Sequence, residues 1–285
     1  MLMTPLRRRM LDYMRLKNYS SRTIRSYICY VKEFALYLGK SPELATVEEI
    51  QAYLLHLTVE RGSSQSHLSG AYSGIKVLFT GVLGRDWDLN QLPRSRREKT
   101  LPAVLSAEQA HALISTPRNL KHRTILQLIY ATGLRLSEAV SLELNDIDSS
   151  RMVLIVHRGK GNKDRYVPLS ATLLEALRHY WRCYRPKRYL FENANTGAHL
   201  SARTVQVVFQ RAKEELGLKG KISVHTLRHC YATHLLENGV NIASLRVFLG
   251  HTNLSTTNRY LHISATHGDV PDLLAGIEAH HEAVF

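Results

Sequence analysis

Arg135, Lys160, His225, Arg228, His251 and Tyr260 follow one another along the chain. They sit in Ala131-Thr132-Gly133-Leu134-Arg135-Leu136-Ser137-Glu138, Gly159-Lys160-Gly161-Asn162, His225-Thr226-Leu227-Arg228, Leu249-Gly250-His251 and Arg259-Tyr260. Two guanidiniums, two imidazoles, an ammonium and a phenol are the parts needed to break a phosphodiester without a metal. Its transition state concentrates negative charge on the non-bridging oxygens. Arg135 and Arg228, planar and always charged, suit that charge with paired hydrogen bonds. A nucleophile that stays attached to phosphorus conserves the bond energy for a reverse attack, and Tyr260 is suited to the task. A free phenol has a pKa of about 10, so ionising it at neutral pH costs roughly 4 kcal/mol unless cationic or hydrogen-bonding neighbours favour the phenolate. His225 and His251 are the neighbours available. The departing hydroxyl needs a proton, which an ammonium such as Lys160 can supply. Lys163 shares the same turn and remains its rival.

This ordered set resembles the tyrosine recombinases, or phage integrases. Their pattern is Arg, Lys on a β-hairpin, His-x-x-Arg, His or Trp, then Tyr. The chain supplies every member in order, with a step of three positions from His225 to Arg228, 23 from Arg228 to His251 and nine from His251 to Tyr260. The resemblance is close from about Leu101 to His262 and looser before it. It implies a mainly α protein with an α+β catalytic part: an N-terminal helical, SAM-like core-binding domain, then a mostly helical catalytic domain with a small β-sheet. It also implies a site-specific recombinase that works on double-stranded DNA as a homotetramer, through a 3′-phosphotyrosine and a Holliday junction, with no cofactor. Glu138, three residues after Arg135, takes the place of the family's acidic residue and would orient Arg135 or a histidine. A type IB-like topoisomerase that reseals the original strand, and a catalytically inactive DNA-binding protein, are the alternatives. Tyr19-Ser20-Ser21-Arg22-Thr23 and Leu101-Pro102-Ala103-Val104-Leu105-Ser106 look like recombinases of mobile elements, and the integron enzymes' extra insertion is missing between Leu190 and His225. A mobile-element integrase or resolvase is therefore the expected role, ahead of chromosome-dimer resolution. The target sequence, and whether an accessory DNA-bending protein takes part, stay open.

Composition agrees with a polyanionic partner. The formal charge is +14 and is shared evenly, with 16 Lys and Arg against 9 Asp and Glu in the first hundred residues and 22 against 15 in the rest. Forty-four per cent hydrophobic residues in 285 suffice for real cores. Cys29, Cys183 and Cys230 are scattered, forming neither a disulfide framework nor a zinc spacing, which points to a reducing compartment and no metal site. No apolar run approaches membrane-spanning length. The expectation is a cytoplasmic, nucleoid-associated protein with no membrane partner.

The elements that must position these residues are legible in part. After the N-cap Ser20, Ile24, Tyr27, Ile28, Val31, Phe34, Ala35 and Leu38 follow helical spacing towards Gly39. Thr46-Val47-Glu48-Glu49 has the form of a capping box and opens a second helix, with Ile50, Leu54, Leu55 and Leu57 as its apolar face. A third follows residues 64–66, with Leu68, Ala71, Tyr72, Ile75, Leu78, Phe79 and Val82 spaced for burial. Arg22, Arg25 and Lys76 lie on the expected outer faces, together with Lys32 and Arg61, as candidate phosphate contacts. The stretch 93–102 has two prolines, no apolar periodicity and the cations Arg94, Arg96, Arg97 and Lys99. It reads as a basic linker over 93–105 between a DNA-clamping domain (1–92) and the catalytic domain (106–268). Ser106 to Gln109 is another capping box, before helices containing 110–114 and 124–131. Runs at 152–156 and 165–169 read as a hairpin with Lys160 near its tip, and helices are expected at 171–184, 202–216, 226–237 and 242–249. Tyr260 is expected in or beside a helix opening near Ser255. The tail 269–285 carries Leu273, Leu274 and Ile277, an apolar face that packs on its own domain or is exchanged between protomers.

Overall fold

The computed structural model describes residues 3–85, 103–157, 164–250 and 271–275. The chain divides into two compact units, 1–99 and 100–285.

The first unit is all helix. α1 (Pro5–Leu16) starts where the Thr4 hydroxyl accepts from the Arg7 N–H and Pro5 takes a position that needs no N–H donor. No sequence signal above marked this helix, because only Met10 and Met14 are buried along it. α2 (Ser21–Leu38) is capped by Ser20 and ends at left-handed Gly39. α3 (Val47–Val59) opens with the complete Thr46–Glu49 capping box. α4 (Gln65–Lys76) runs on into a π-helical turn over Val77–Val82. Their core is Met10, Met14, Phe34, Ile50, Tyr53, Leu57, Ala71, Ile75 and Leu78 with their neighbours. The second helix's face needs one correction: Leu55 is 62% exposed, and Tyr53 fills the core instead, its ring tilted against that of Phe34 with centroids 5.0 Å apart. The apolar stripe of α3 is thus set by residues 50, 53 and 57, at spacings of three and four.

The second unit wraps helices around a small sheet. α5 (Ala107–Ser115) has the Ser106–Gln109 capping box. α6 (Leu120–Thr132) is buried continuously from Thr124 to Tyr130, as befits a helix with neighbours on every side. A short α7 (Leu136–Ser141) leads to three antiparallel strands in the order β1 (Ile147–Asp148), β2 (Val153–Val156) and β3 (Arg165–Pro168). β1 is two residues long, too short to show a period. Leu154 pairs with Val167 and Val156 with Arg165. α8 (Ala171–Tyr184), α9 (Ala202–Glu215), α10 (Val224–Glu237) and α11 (Ile242–Leu249) complete it. α10 begins two residues earlier than its pattern suggested, because the Thr226 hydroxyl accepts from the Ser223 N–H and makes Ser223 the cap.

The described piece of the tail packs on its own unit. Leu274 is buried in the core, the Ser170 hydroxyl donates to Asp272 at 3.0 Å, and His111 Nε2 meets the Leu273 carbonyl at 2.7 Å. Buried His234 is structural: Nε2 donates to the Leu105 carbonyl at 3.0 Å, which leaves Nδ1 to accept from the Tyr130 hydroxyl at 2.8 Å. Among the described residues no helix is long and apolar enough to cross a membrane.

Candidate active site

The site is built at the corner between α6 and α7. α6 stops at Gly133, whose φ of +61° is the left-handed conformation that favours glycine. A Cβ here would also run into the Tyr231 ring, so glycine is required twice over. The turn brings Arg135 to the N-cap of α7, where its backbone is extended. Glu138, one helical turn on, folds back to accept from the Arg135 N–H at 2.8 Å and from its Nη1 at 2.7 Å. A carboxylate over a helix N-terminus is favoured by the helix dipole as well as by the bonds.

Arg228 enters from α10. It is buried, 7% exposed, and its guanidinium donates from Nη1 to the Gly133 carbonyl and from Nη2 to the Leu249 carbonyl at 2.6 Å. It thereby ties the α6–α7 corner to the end of α11. His225 lies one turn earlier on α10 and opens to solvent. Partial desolvation, then the charges of Arg228 and Arg135, lower its pKa, against an opposing pull from Glu138. The imidazole is therefore neutral at pH 7, able to donate from one nitrogen and accept at the other.

One site residue escaped the sequence reasoning. Arg165 on β3 grips Glu138 with both arms, Nη1 to Oε1 at 2.9 Å and Nη2 to Oε2 at 2.7 Å, and its Nε donates to the Phe248 carbonyl at 2.9 Å. Its side chain is 7% exposed and that of Glu138 9%. A signal existed: 165 shares a strand face with buried Val167, opposite exposed Tyr166, and an arginine on a core-facing position demands a partner. At Gly250, also left-handed with φ +60°, a Cβ would press on Arg165 Cδ at 2.9 Å. Burial alone would raise the Glu138 carboxyl; the hydrogen bonds and charge of Arg165, then those of Arg135, override it and hold the pKa at about 2. Two guanidiniums thus share one carboxylate, and with Arg228 beside the same corner through the Gly133 carbonyl, positive charge is in excess there.

The remaining candidates divide by place. Arg22 and Arg25 are exposed on the first turns of α2, as expected, whereas Lys76 at the end of α4 is half-buried against the core, contrary to the outer face expected for it. Lys160, Lys163, His251, Tyr260, Arg94, Arg96 and Arg97 lie outside the described residues. The described residues nearest in sequence to two of them are placed: β2 ends at Val156 and β3 begins at Arg165, before and after Lys160, and α11 ends just before Gly250, next in sequence to His251.

Comparison with known proteins is decisive at this point. The model of the phage integrase family matches residues 103–267, and that of the phage integrase N-terminal SAM-like domain matches residues 6–89. The chain belongs to the phage integrase family. Within that family it is 40% identical over 265 residues to a putative integrase/recombinase, y4qK, of Sinorhizobium fredii, covering 93% of this chain and 86% of that one. It is 34% identical over 258 residues to the tyrosine recombinase XerA of Pyrococcus horikoshii, covering 90% and 88%. Its fold matches that of a lambda integrase dimer bound to a COC′ core site with a TM-score of 0.74 at 19% identity, over 91% of this chain and 95% of the other. As the family resemblance implied, the described residues are mostly helical with a small sheet, here of three strands.

Proposed function

We propose that this protein is a site-specific DNA strand transferase that cleaves and rejoins duplex DNA through Tyr260. The phenol attacks the scissile phosphorus as the bond from phosphorus to the 5′-oxygen breaks, giving a 3′-phosphotyrosine and a 5′-hydroxyl. The hydroxyl of a partner strand then attacks that phosphorus and releases the tyrosine. Arg135 and Arg228 neutralise the non-bridging oxygens. His225 and His251 hydrogen-bond them or adjust the protonation of Tyr260. Lys160, or Lys163 in its stead, gives the leaving oxygen its proton.

The observation that carries this reading is the gathering of Arg135, Arg228 and His225 in one corner, with Arg135 held by Glu138 and Arg165 and with more guanidiniums than carboxylates. The solved relative on DNA and the chain's own +14 charge support double-stranded DNA as the partner. The N-terminal unit, with Arg22 and Arg25 exposed, would contribute phosphate contacts of its own, and the cations of the 93–105 stretch would add to the charge offered to the DNA backbone. Exchange of two duplexes needs four active tyrosines, hence a homotetramer on DNA in the nucleoid. The relatives named integrase favour service to a mobile element.

A suicide substrate nicked near the crossover point, taken from the DNA flanking the gene, tests the reading. Wild type should become covalently attached and Tyr260→Phe should not. Attachment by both would show that another residue is the nucleophile. Strand exchange into a junction, as opposed to relaxation of supercoils, separates a recombinase from a topoisomerase.

A further inference from the structure

All three guanidinium nitrogens of Arg165 donate hydrogen bonds to the site's framework. Its two arms hold both oxygens of Glu138, which in turn holds Arg135 by backbone and side chain. Its Nε holds the Phe248 carbonyl at the end of α11. Gly250 has room for Arg165 only because it lacks a side chain. One buried guanidinium at the root of the β2–β3 hairpin therefore fixes the three segments that lead to Arg135, to Lys160 and to His251.

We propose that Arg165 is a positioning residue for strand cleavage: it keeps Glu138 ionised and aimed, so that Arg135 is presented to the phosphate in one orientation. The proposal rests on the reading of Arg135 as a phosphate ligand. Each of the three nitrogens of Arg165 donates inside the protein, so its part in this proposal is to act through Glu138 and Arg135. Without it, Glu138 would remain desolvated with only Arg135 bonded to it, and would take up a proton at mildly acidic pH. The protonated carboxyl would release Arg135. The other charged groups near Glu138 are His225 and Arg228 from α10, and Glu143, Asp146 and His157, which line a cavity of about 370 Å³ with it.

The test measures the rate of covalent trapping on the suicide substrate from pH 5 to 9 for full-length wild type, Arg165→Gln, Arg165→Lys, Arg165→Gln/Glu138→Gln and Arg135→Ala. DNA affinity and thermal melting are followed alongside. The expected result for Arg165→Gln is DNA affinity within about twofold of wild type and trapping at least tenfold slower at pH 7.5. Its acid limb should lie at higher pH than that of wild type. That displaced limb should vanish in the double variant, which assigns it to Glu138 and excludes His157 and His225. Arg165→Lys, with its charge but no fork, should recover part of the rate, and it carries the same comparison if Arg165→Gln does not fold. Equal rates and profiles for Arg165→Gln and wild type would overturn the proposal, as would a slower rate with an unmoved acid limb, which marks a purely structural arginine. If Arg135→Ala traps like wild type, the parent reading falls and this one with it. If Arg135→Ala is dead while Arg165→Gln matches wild type, only this proposal falls.

Discussion

The two units of this chain are held together by different chemistry. Every buried residue described in the N-terminal unit is apolar, aromatic, proline or glycine, whereas the catalytic unit buries Arg228, His234, Gln127 and four threonines and nearly buries the Arg165–Glu138 pair. A helical unit that only has to present a surface can rely on packing alone. One that must hold guanidiniums against a phosphate takes charge out of water, and each such charge then has to be satisfied from inside. The lesson is that the catalytic unit's polar interior is the site's scaffolding rather than ordinary core.

Deleting one large apolar side chain should break the first unit without touching the second. Phe34→Ala, at the fully buried ring contact with Tyr53, should cost about 3–5 kcal/mol. Hydrogen exchange read peptide by peptide checks it: protection should fall across α1 to α4 and hold in α6 and α10, and a uniform loss would blur the contrast.

The catalytic unit should instead show its dependence on charge through pH. Its two arginine partners hold the Glu138 carboxyl at a pKa of about 2 when folded, against 4.5 for an unperturbed glutamate. The stabilisation, roughly 3 kcal/mol, is present in full above the unfolded value and drains away as pH falls towards the folded one. Urea unfolding of the catalytic unit between pH 6 and pH 3 should therefore lose stability steeply in wild type. In Glu138→Gln the start is lower and the acid slope shallower, and parallel slopes would remove Glu138 from the account.

A neutral buried contact should matter less. Tyr130→Phe deletes the hydroxyl that donates to His234 and leaves Nδ1 with no donor, at a cost of about 1–3 kcal/mol. Thermal melting of the full chain reads it. The smallest effect belongs to Leu55→Ser. Its exposed position on α3 should keep the change within about 0.5 kcal/mol, where a core leucine would cost several times more.

The same contrast explains what the sequence disclosed. Helical spacing and capping boxes at Thr46 and Ser106 marked elements because a cap and an apolar stripe are local properties, and the ranges expected at 171–184 and 242–249 match α8 and α11. α1 stayed hidden because two methionines carry its burial, and Leu55 misled because α3 uses Tyr53 instead. At the site, Arg135, Glu138, His225 and Arg228 were legible as residue types at set spacings. Their partners were not: Gly133 is 95 residues from Arg228 and Arg165 is 27 from Glu138, and no periodicity links positions that only the fold brings together. His251, Tyr260 and Lys160 are outside the described residues, so their place in the account rests on chain order and the family pattern.

The central claim is that Arg135 neutralises charge on the scissile phosphate, and a substrate with a neutral methylphosphonate at that position tests it most directly. On the ordinary phosphodiester, Arg135→Ala should cleave about a hundredfold or more below wild type. On the methylphosphonate, where one charged oxygen is replaced by a methyl group, the gap between the two proteins should shrink to less than about tenfold. An equal deficit on both substrates would mean that Arg135 serves the fold and not the phosphate.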